Sequence, residues 1–177
     1  MEPPGGILPL TEIEHRPAHE PVAGWRYWLL QPSTGRLGSV SHRRIEWHPG
    51  RPLQALCLTG GHAAPSPGCA CGIHASPDRE HLLAEGLCLA PRLPLVLGRV
   101  GLWGAVVADG HGWRGQYAYP VELFLVADTA TGSGGAAAGA QLAAYGVPTA
   151  TVALAEAVGE VSAAILTFQA MSSPPAS

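Results

Sequence analysis

Residues 95–108 read L-V-L-G-R-V-G-L-W-G-A-V-V-A, and the fold turns on them. Their β-branched and small apolar side chains suit a pleated, buried strand. Asp109-Gly110-His111-Gly112 follows with the chemistry of a tight turn, and residues 113–119 return. The two-residue period of a strand places Trp113, Tyr117 and Tyr119 on one face, and Val121 to Val126 continues beyond Pro120 as a further strand. Gly98, Gly101 and Gly104 recur at every third position. They mark bulges or a close approach to the sheet, either by a packed helix or by a bound ligand.

Working outward, residues 24–30 (G-W-R-Y-W-L-L) form a compact aromatic strand closed by the turn residues Gln31-Pro32-Ser33-Thr34-Gly35. A short strand and a loop around Trp47 occupy residues 36–50, and residues 53–58 form a strand that runs into a cysteine-rich stretch. After that stretch, residues 71–75 make another short strand. Ser76-Pro77-Asp78-Arg79-Glu80 then supplies an N-cap, a proline at the first helical position and early acidic groups, so a helix runs to its stop at Gly86.

The two ends are compositionally different. Residues 1–23 are rich in proline and polar groups and read as a flexible arm; Pro17, between His15 and His19, argues against a helical metal pair there. Residues 128–139 are a low-complexity Gly/Ala/Ser/Thr linker. Residues 140–145 end a short helix before Gly146-Val147-Pro148. Val152, Ala155, Val158, Ser162 and Ile165 then recur at helical spacing within residues 149–171. The expected architecture is an α+β domain over residues 24–127 with a mainly antiparallel sheet and one helix after the cysteine-rich loop. A helical C-terminal extension over residues 140–177, frayed at its tip, would cover the sheet or join copies of the chain as a homo-oligomer.

Composition bounds the function. With 47% hydrophobic and 13% charged residues in 177, the chain has the apolar supply of one domain with a core and does not read as disordered. The net charge of −3, and basic residues that are all arginine and scattered apart from Arg43-Arg44, argue against a nucleic-acid partner. Missing lysine and asparagine, with abundant Ala, Gly, Pro and Arg, point to a GC-rich bacterial genome. The first residues lack the basic start and long apolar run of a secretory signal, and Glu156 and Glu160 interrupt the apolar C-terminal stretch, so neither export nor a membrane span is expected. A cytoplasmic setting is reducing, which favours thiols or metal ligands over disulfides for the four cysteines.

Three of those cysteines lie in residues 57–75, C-L-T-G-G-H-A-A-P-S-P-G-C-A-C-G-I-H-A. Cys57, His62, Cys69 and Cys71 offer three thiolates and an imidazole, the ligand set of a closed tetrahedral zinc site. C-x-C is less usual than C-x2-C, yet residues i and i+2 of a strand share a face, and Gly68 and Gly72 permit the chain to curl. A loop this rich in Gly and Pro is one a metal orders where a core cannot. Packed free thiols, or a redox or nucleophilic cysteine, are the alternatives. Cys71 and His74 are three apart, on opposite faces of a strand, so a catalytic pair would need a distant histidine such as His111. Catalytic zinc would need an open position and a carboxylate base, for which Glu80, Glu85 and Asp109 are not distinguished.

Gly-Trp-Arg occurs twice, at residues 24–26 and 112–114. Trp25, Arg26, Trp113 and Arg114, with His74, could build an aromatic and cationic patch for a planar or anionic ligand; otherwise the tryptophans are core and the arginines lie along their edges. No G-x-S-x-G elbow, phosphate loop or dinucleotide fingerprint is present.

P-x-P-G-C-A-C-G-I-H-A (residues 65–75), L-G-R-V-G-L-W-G-A-V-V (97–107) and G-W-R-G-Q-Y-A-Y-P (112–120) together resemble a group of uncharacterised small actinobacterial proteins over roughly residues 25–125. The resemblance implies a folded bacterial domain and carries no mechanism. It places His74 where such sequences more often have tyrosine, which supports His62 as the fourth donor. The first functional expectation is therefore an intracellular binding or interaction module stapled by zinc. The second is a small metal- or cysteine-dependent enzyme.

Overall fold

The computed structural model describes residues 13–40, 45–86, 94–127, 134–153 and 156. Its frame is the hairpin of β7 (Leu95–Asp109) and β8 (Gly112–Val126), joined by a two-residue turn at Gly110 and His111. Two irregularities bend it. One lies between Arg99 and Val100; the other, between Trp103 and Val106, is a bulge in which Gly104 takes φ +75° and the Ala105 amide donates to Gln116 Oε1 at 3.1 Å. At that second site the glycine spacing did mark a bulge.

Shorter strands line both edges of the hairpin. β1 (Ile13–Arg16) and β2 (Val22–Gln31) follow one another along β7, and β3 (Arg36–Ser39) and β4 (Glu46–Trp47) extend the sheet from β2. Along β8 lie β6 (Ile73–Ala75), β5 (Leu53–Gln54) and β9 (Thr149–Val152), at residues 113–115, 117–118 and 123–126. Pro120 falls between the β5 and β9 pairings, where β8 needs no outer donor. Trp25 and Ser76 exchange both backbone hydrogen bonds at 2.8 Å, so β6 also touches β2 and closes a ring of four paired strands, β2–β7–β8–β6.

That closure depends on the glycine of each Gly-Trp-Arg. A Cβ on Gly24 would lie 2.7 Å from Ala75 Cβ and 2.8 Å from the Ser76 carbonyl oxygen. Gly112, at φ +130°, would meet the Ala75 carbonyl oxygen and Pro77. The two copies of the motif thus hold β6 from either side.

The core runs through the ring, with Trp28, Leu30, Leu37, Trp47, Val96, Val100 and Leu102 almost fully buried. A second cluster around Tyr27, Leu29, Leu95, Leu97 and Val126 lies beside it, with Trp25 and Phe124 stacked at 6.4 Å on its margin. Helix α2 (Gly134–Ala143) docks through Ala138 and Leu142, and the turn after it through Tyr145. The Tyr145 hydroxyl donates to the Trp47 carbonyl at 2.6 Å and accepts the Leu37 amide at 2.8 Å; burial pushes its pKa up to about 12. Tyr119 donates to the Tyr145 carbonyl at 2.9 Å and accepts from the Gly50 amide.

These observations correct the α+β expectation. The molecule is mostly β, with a nine-stranded mixed sheet and two short helices among the described residues. The helix after the cysteine loop, α1 (Arg79–Gly86), is present. Its cap is Asp78, whose carboxylate accepts the His81 amide at 2.8 Å, because the Ser76 backbone is taken by the bridge to Trp25. Residues 134–139, read as linker, belong to α2, and Ile13–Arg16, read as arm, pairs with β7. No helical extension begins at residue 149: Thr149–Val152 is a strand parallel to β8, where its β-branched residues fit a pleat better than a helix turn. The remainder of that extension, and the self-association it was expected to mediate, lie outside the described residues.

Candidate metal centre

An 18-residue crossing, residues 55–72, connects β5 to β6 and so joins two neighbouring positions on the β8 edge. Ala64, buried against the core, pins its middle, but Leu56 and Leu58 are 74% and 68% exposed. The segment has too little apolar contact to fix itself.

It is gathered from inside by Arg114. This side chain is 4% exposed, and its Nη1 donates to the carbonyls of Cys69 and Cys71, both at 2.6 Å, and of Ser66 at 3.2 Å. Nε donates to Asp109 Oδ2 at 2.9 Å, across the β7–β8 turn. Burial alone would raise the Asp109 pKa. The His111 amide and the Arg114 guanidinium outweigh it, and the carboxyl is held below its usual range. One cation thereby ties both residues of C-x-C to the hairpin.

On the other side of that backbone, Cys57, His62, Cys69 and Cys71 converge, with their donor atoms within 4.8 Å of one another. Cys57 Sγ lies 3.9 Å from Cys69 Sγ, and His62 Nε2 lies 3.4 Å from Cys71 Sγ. A tetrahedral ion with bonds of about 2.3 Å to sulfur and about 2.0 Å to nitrogen requires S···S edges of about 3.8 Å and N···S edges of about 3.5 Å. These two of the six donor pairs match the edges of such a polyhedron, and the other four lie within 4.8 Å. Gly72, at φ +123°, makes the turn, and a Cβ there would lie 3.0 Å from Arg114 Cβ and Pro65 Cβ.

The thiols are electrostatically unequal. The Thr59 amide draws Cys57 down to about 6 against the opposing effect of desolvation, with help from the Thr59 hydroxyl, the Gly60 amide at 3.2 Å and Cys69. Desolvation, and then the neighbouring Cys69, push Cys71 up. Three sulfurs this close cannot all ionise unaided, and a divalent cation is what would allow it. The Cys3His group could therefore bind a metal ion.

The other sequence-predicted residues fall into place around this loop without forming a single patch. Arg26, half-buried on β2, donates from Nη1 to the His74 carbonyl at 2.6 Å and from Nη2 to Ser39 Oγ at 3.3 Å, and lies 5.4 Å over the Trp47 ring. Burial lowers its pKa to about 10, so it stays charged near neutrality. Trp25 stacks on Phe124, whereas Trp113 packs against the main core beside Gly24. His74 Nε2 meets the Ala70 carbonyl at 2.9 Å; desolvation, and the guanidinia of Arg26 and Arg114, hold its pKa below the usual histidine range. Asp109, one of the three carboxylates considered as a metal-site base, is engaged by Arg114 and His111. What sequence reasoning missed is the inward-facing job of Arg114, for which the one available signal was an aspartate five residues before it across a turn. Comparison with known proteins finds no matching family model, no matching curated protein and no matching solved structure.

Proposed function

We propose that the protein is a non-enzymatic binding or interaction module whose exposed β5–β6 loop is held in shape by one structural zinc ion on Cys57, His62, Cys69 and Cys71. The observation that carries this reading is the convergence of the four donors within 4.8 Å, two of whose pairs have the edge lengths of a tetrahedral site. Thiolate-rich sets favour zinc over calcium or magnesium, and four protein ligands leave no vacant position for a substrate or an activated water. The loaded site carries one net negative charge, from three thiolates and a divalent ion, which the Arg114-bound carbonyl side of the loop tolerates.

Elemental analysis of the purified chain should find one zinc per molecule, and Cys69→Ser should lose it. Chelation should lower the melting temperature by about 10 °C, the shift that a loss of about 3 kcal/mol produces in a chain of this size. A metal-free protein with the same melting curve before and after chelation overturns the reading. One observation favours a second: the Gly60 amide donates to Cys57 Sγ at 3.2 Å and, with the Thr59 amide, draws that thiol down, which without metal would make Cys57 a nucleophile. A single hyper-reactive thiol in metal-free, folded protein would establish that alternative.

A further inference from the structure

Beside the metal loop lies a cleft of about 420 Å³, within the size range of small-molecule sites. The loop contributes Leu56, Leu58 and Cys69 to Cys71 to the lining, β5 and β6 add Leu53 and Ile73, and β2 adds Arg26. Leu56 and Leu58 are the two most exposed large hydrophobic residues among those described, and both line this cleft.

The electrostatics of the cleft are unbalanced. Among the described residues Arg26, like Arg51, Arg79 and Arg99, has no carboxylate within 4.0 Å, whereas Arg16, Arg36 and Arg114 each have one; of the four, Arg26 is the one that lines this cleft. Its guanidinium has five N–H donors. One reaches the His74 carbonyl and one the Ser39 hydroxyl, while Nε is buried without a partner. A half-buried cation with spare donors and no counter-charge is costly unless an anion arrives. Arg114 is already neutralised by Asp109, so Arg26 is the cation the cleft presents, facing the one net negative charge that a loaded metal site would place on the wall formed by Cys69 and Cys71. A monoanion can pair with Arg26 at the least cost in repulsion from that wall, whereas a phosphate dianion would add a second negative charge. The net negative charge of a loaded metal site on the loop wall would steer an anionic head towards Arg26 and leave the leucines to an apolar tail.

We propose that this cleft binds a small monocarboxylate with an apolar chain, its carboxylate on Arg26 and its chain along Leu53, Leu56, Leu58 and Ile73. The proposal deepens the binding-module reading by naming a ligand class, and it rests on that reading for the shape of the loop wall and for the charge that orients the ligand.

Titration calorimetry of the metal-loaded protein with octanoate, octanol and acetate tests it, with the metal content of every sample measured alongside. Octanoate should bind saturably. Octanol should bind about tenfold more weakly, the ratio expected for one charge-assisted contact, and acetate should show no saturable binding. Arg26→Met should abolish the preference for octanoate over octanol, and Leu58→Ser, at an exposed position that folding does not need, should weaken both ligands. Equal affinity for octanoate and octanol, or no octanoate binding by fully metal-loaded protein, overturns the proposal. If the protein proves metal-free yet binds octanoate with these preferences, the zinc reading fails and the ligand proposal stands.

Discussion

Arg26 and Arg114 stand at the same place in two copies of one tripeptide, flank the same short strand and donate to carbonyls of the same loop and strand. They differ in what answers their charge. Arg114 has Asp109 at 2.9 Å and three carbonyls, so it behaves as an internal strut. Arg26 has two neutral acceptors and the face of Trp47, and opens onto a cleft. Identical local sequence therefore yields a saturated group and an unsaturated one, and the contrast separates a residue that builds the site from one that is free to use it.

The largest effect should come from removing the saturated arginine. Arg114→Met leaves Asp109 without its cation and frees the backbone of both C-x-C cysteines; breaking a buried pair costs about 3–5 kcal/mol. Urea denaturation should show that loss, and competition with a chromogenic chelator should show weakened metal retention, because the donors are no longer held together. Full metal affinity in a folded Arg114→Met protein would mean that the metal alone shapes the loop.

Next in size is the closure that both motifs serve. Gly24→Ala places a methyl 2.7 Å from Ala75 Cβ and 2.8 Å from a backbone oxygen, neither of which can rotate away. Overpacking of this kind costs about 1–3 kcal/mol. Amide exchange should show faster opening of β6 than of the β2–β7 pairing.

Asp109→Asn should have a smaller effect, about 1–2 kcal/mol near neutral pH, because Arg114 keeps its carbonyl acceptors. The sign with pH follows from a folded pKa below the unfolded value of 3.8. Asp109 binds its proton more readily in the unfolded chain, so its contribution is complete above the unfolded pKa and disappears as pH falls through the folded one. Stability measured from pH 6 downward should decline less steeply in Asp109→Asn than in the parent. Parallel acid limbs would show that the pair contributes nothing through charge.

Much of this arrangement is legible in the sequence. The β7–β8 hairpin was readable because its β-branched run and turn are local signals, except that Pro120 does not divide β8 into the two strands expected; the donor set was readable because soft ligands gathered in a loop without a core have few other uses. Three things were not. Residues 134–139 look like linker by composition, yet they form the first turns of the helix whose end the sequence places at residues 140–145, and Ala138 and Leu142, four apart, dock it with Tyr145 just beyond. Thr149–Val152 belongs to a weak helical period, but its state is decided by a parallel pairing to β8 that no local pattern encodes. The two Gly-Trp-Arg copies were visible as a repeat, but their difference depends on contacts 43–48 residues away for Arg114 and on the absence of a carboxylate near Arg26.

The smallest expected effect is also the most diagnostic of the comparison. Arg26→Met removes a donor from the His74 carbonyl and from Ser39, but Ser39 Oγ keeps its hydrogen bond from the Trp47 indole at 3.2 Å. Methionine retains an apolar stem of similar length, and the substitution also removes a cation whose desolvation no carboxylate offsets. The two contributions oppose each other, so the net loss should be about 1 kcal/mol or less, against the several expected for Arg114→Met. Metal content should stay the same, since the cysteine carbonyls do not depend on Arg26. A loss as large as that of Arg114→Met would make Arg26 a second strut. It would then be the fold, and no ligand, that answers its charge.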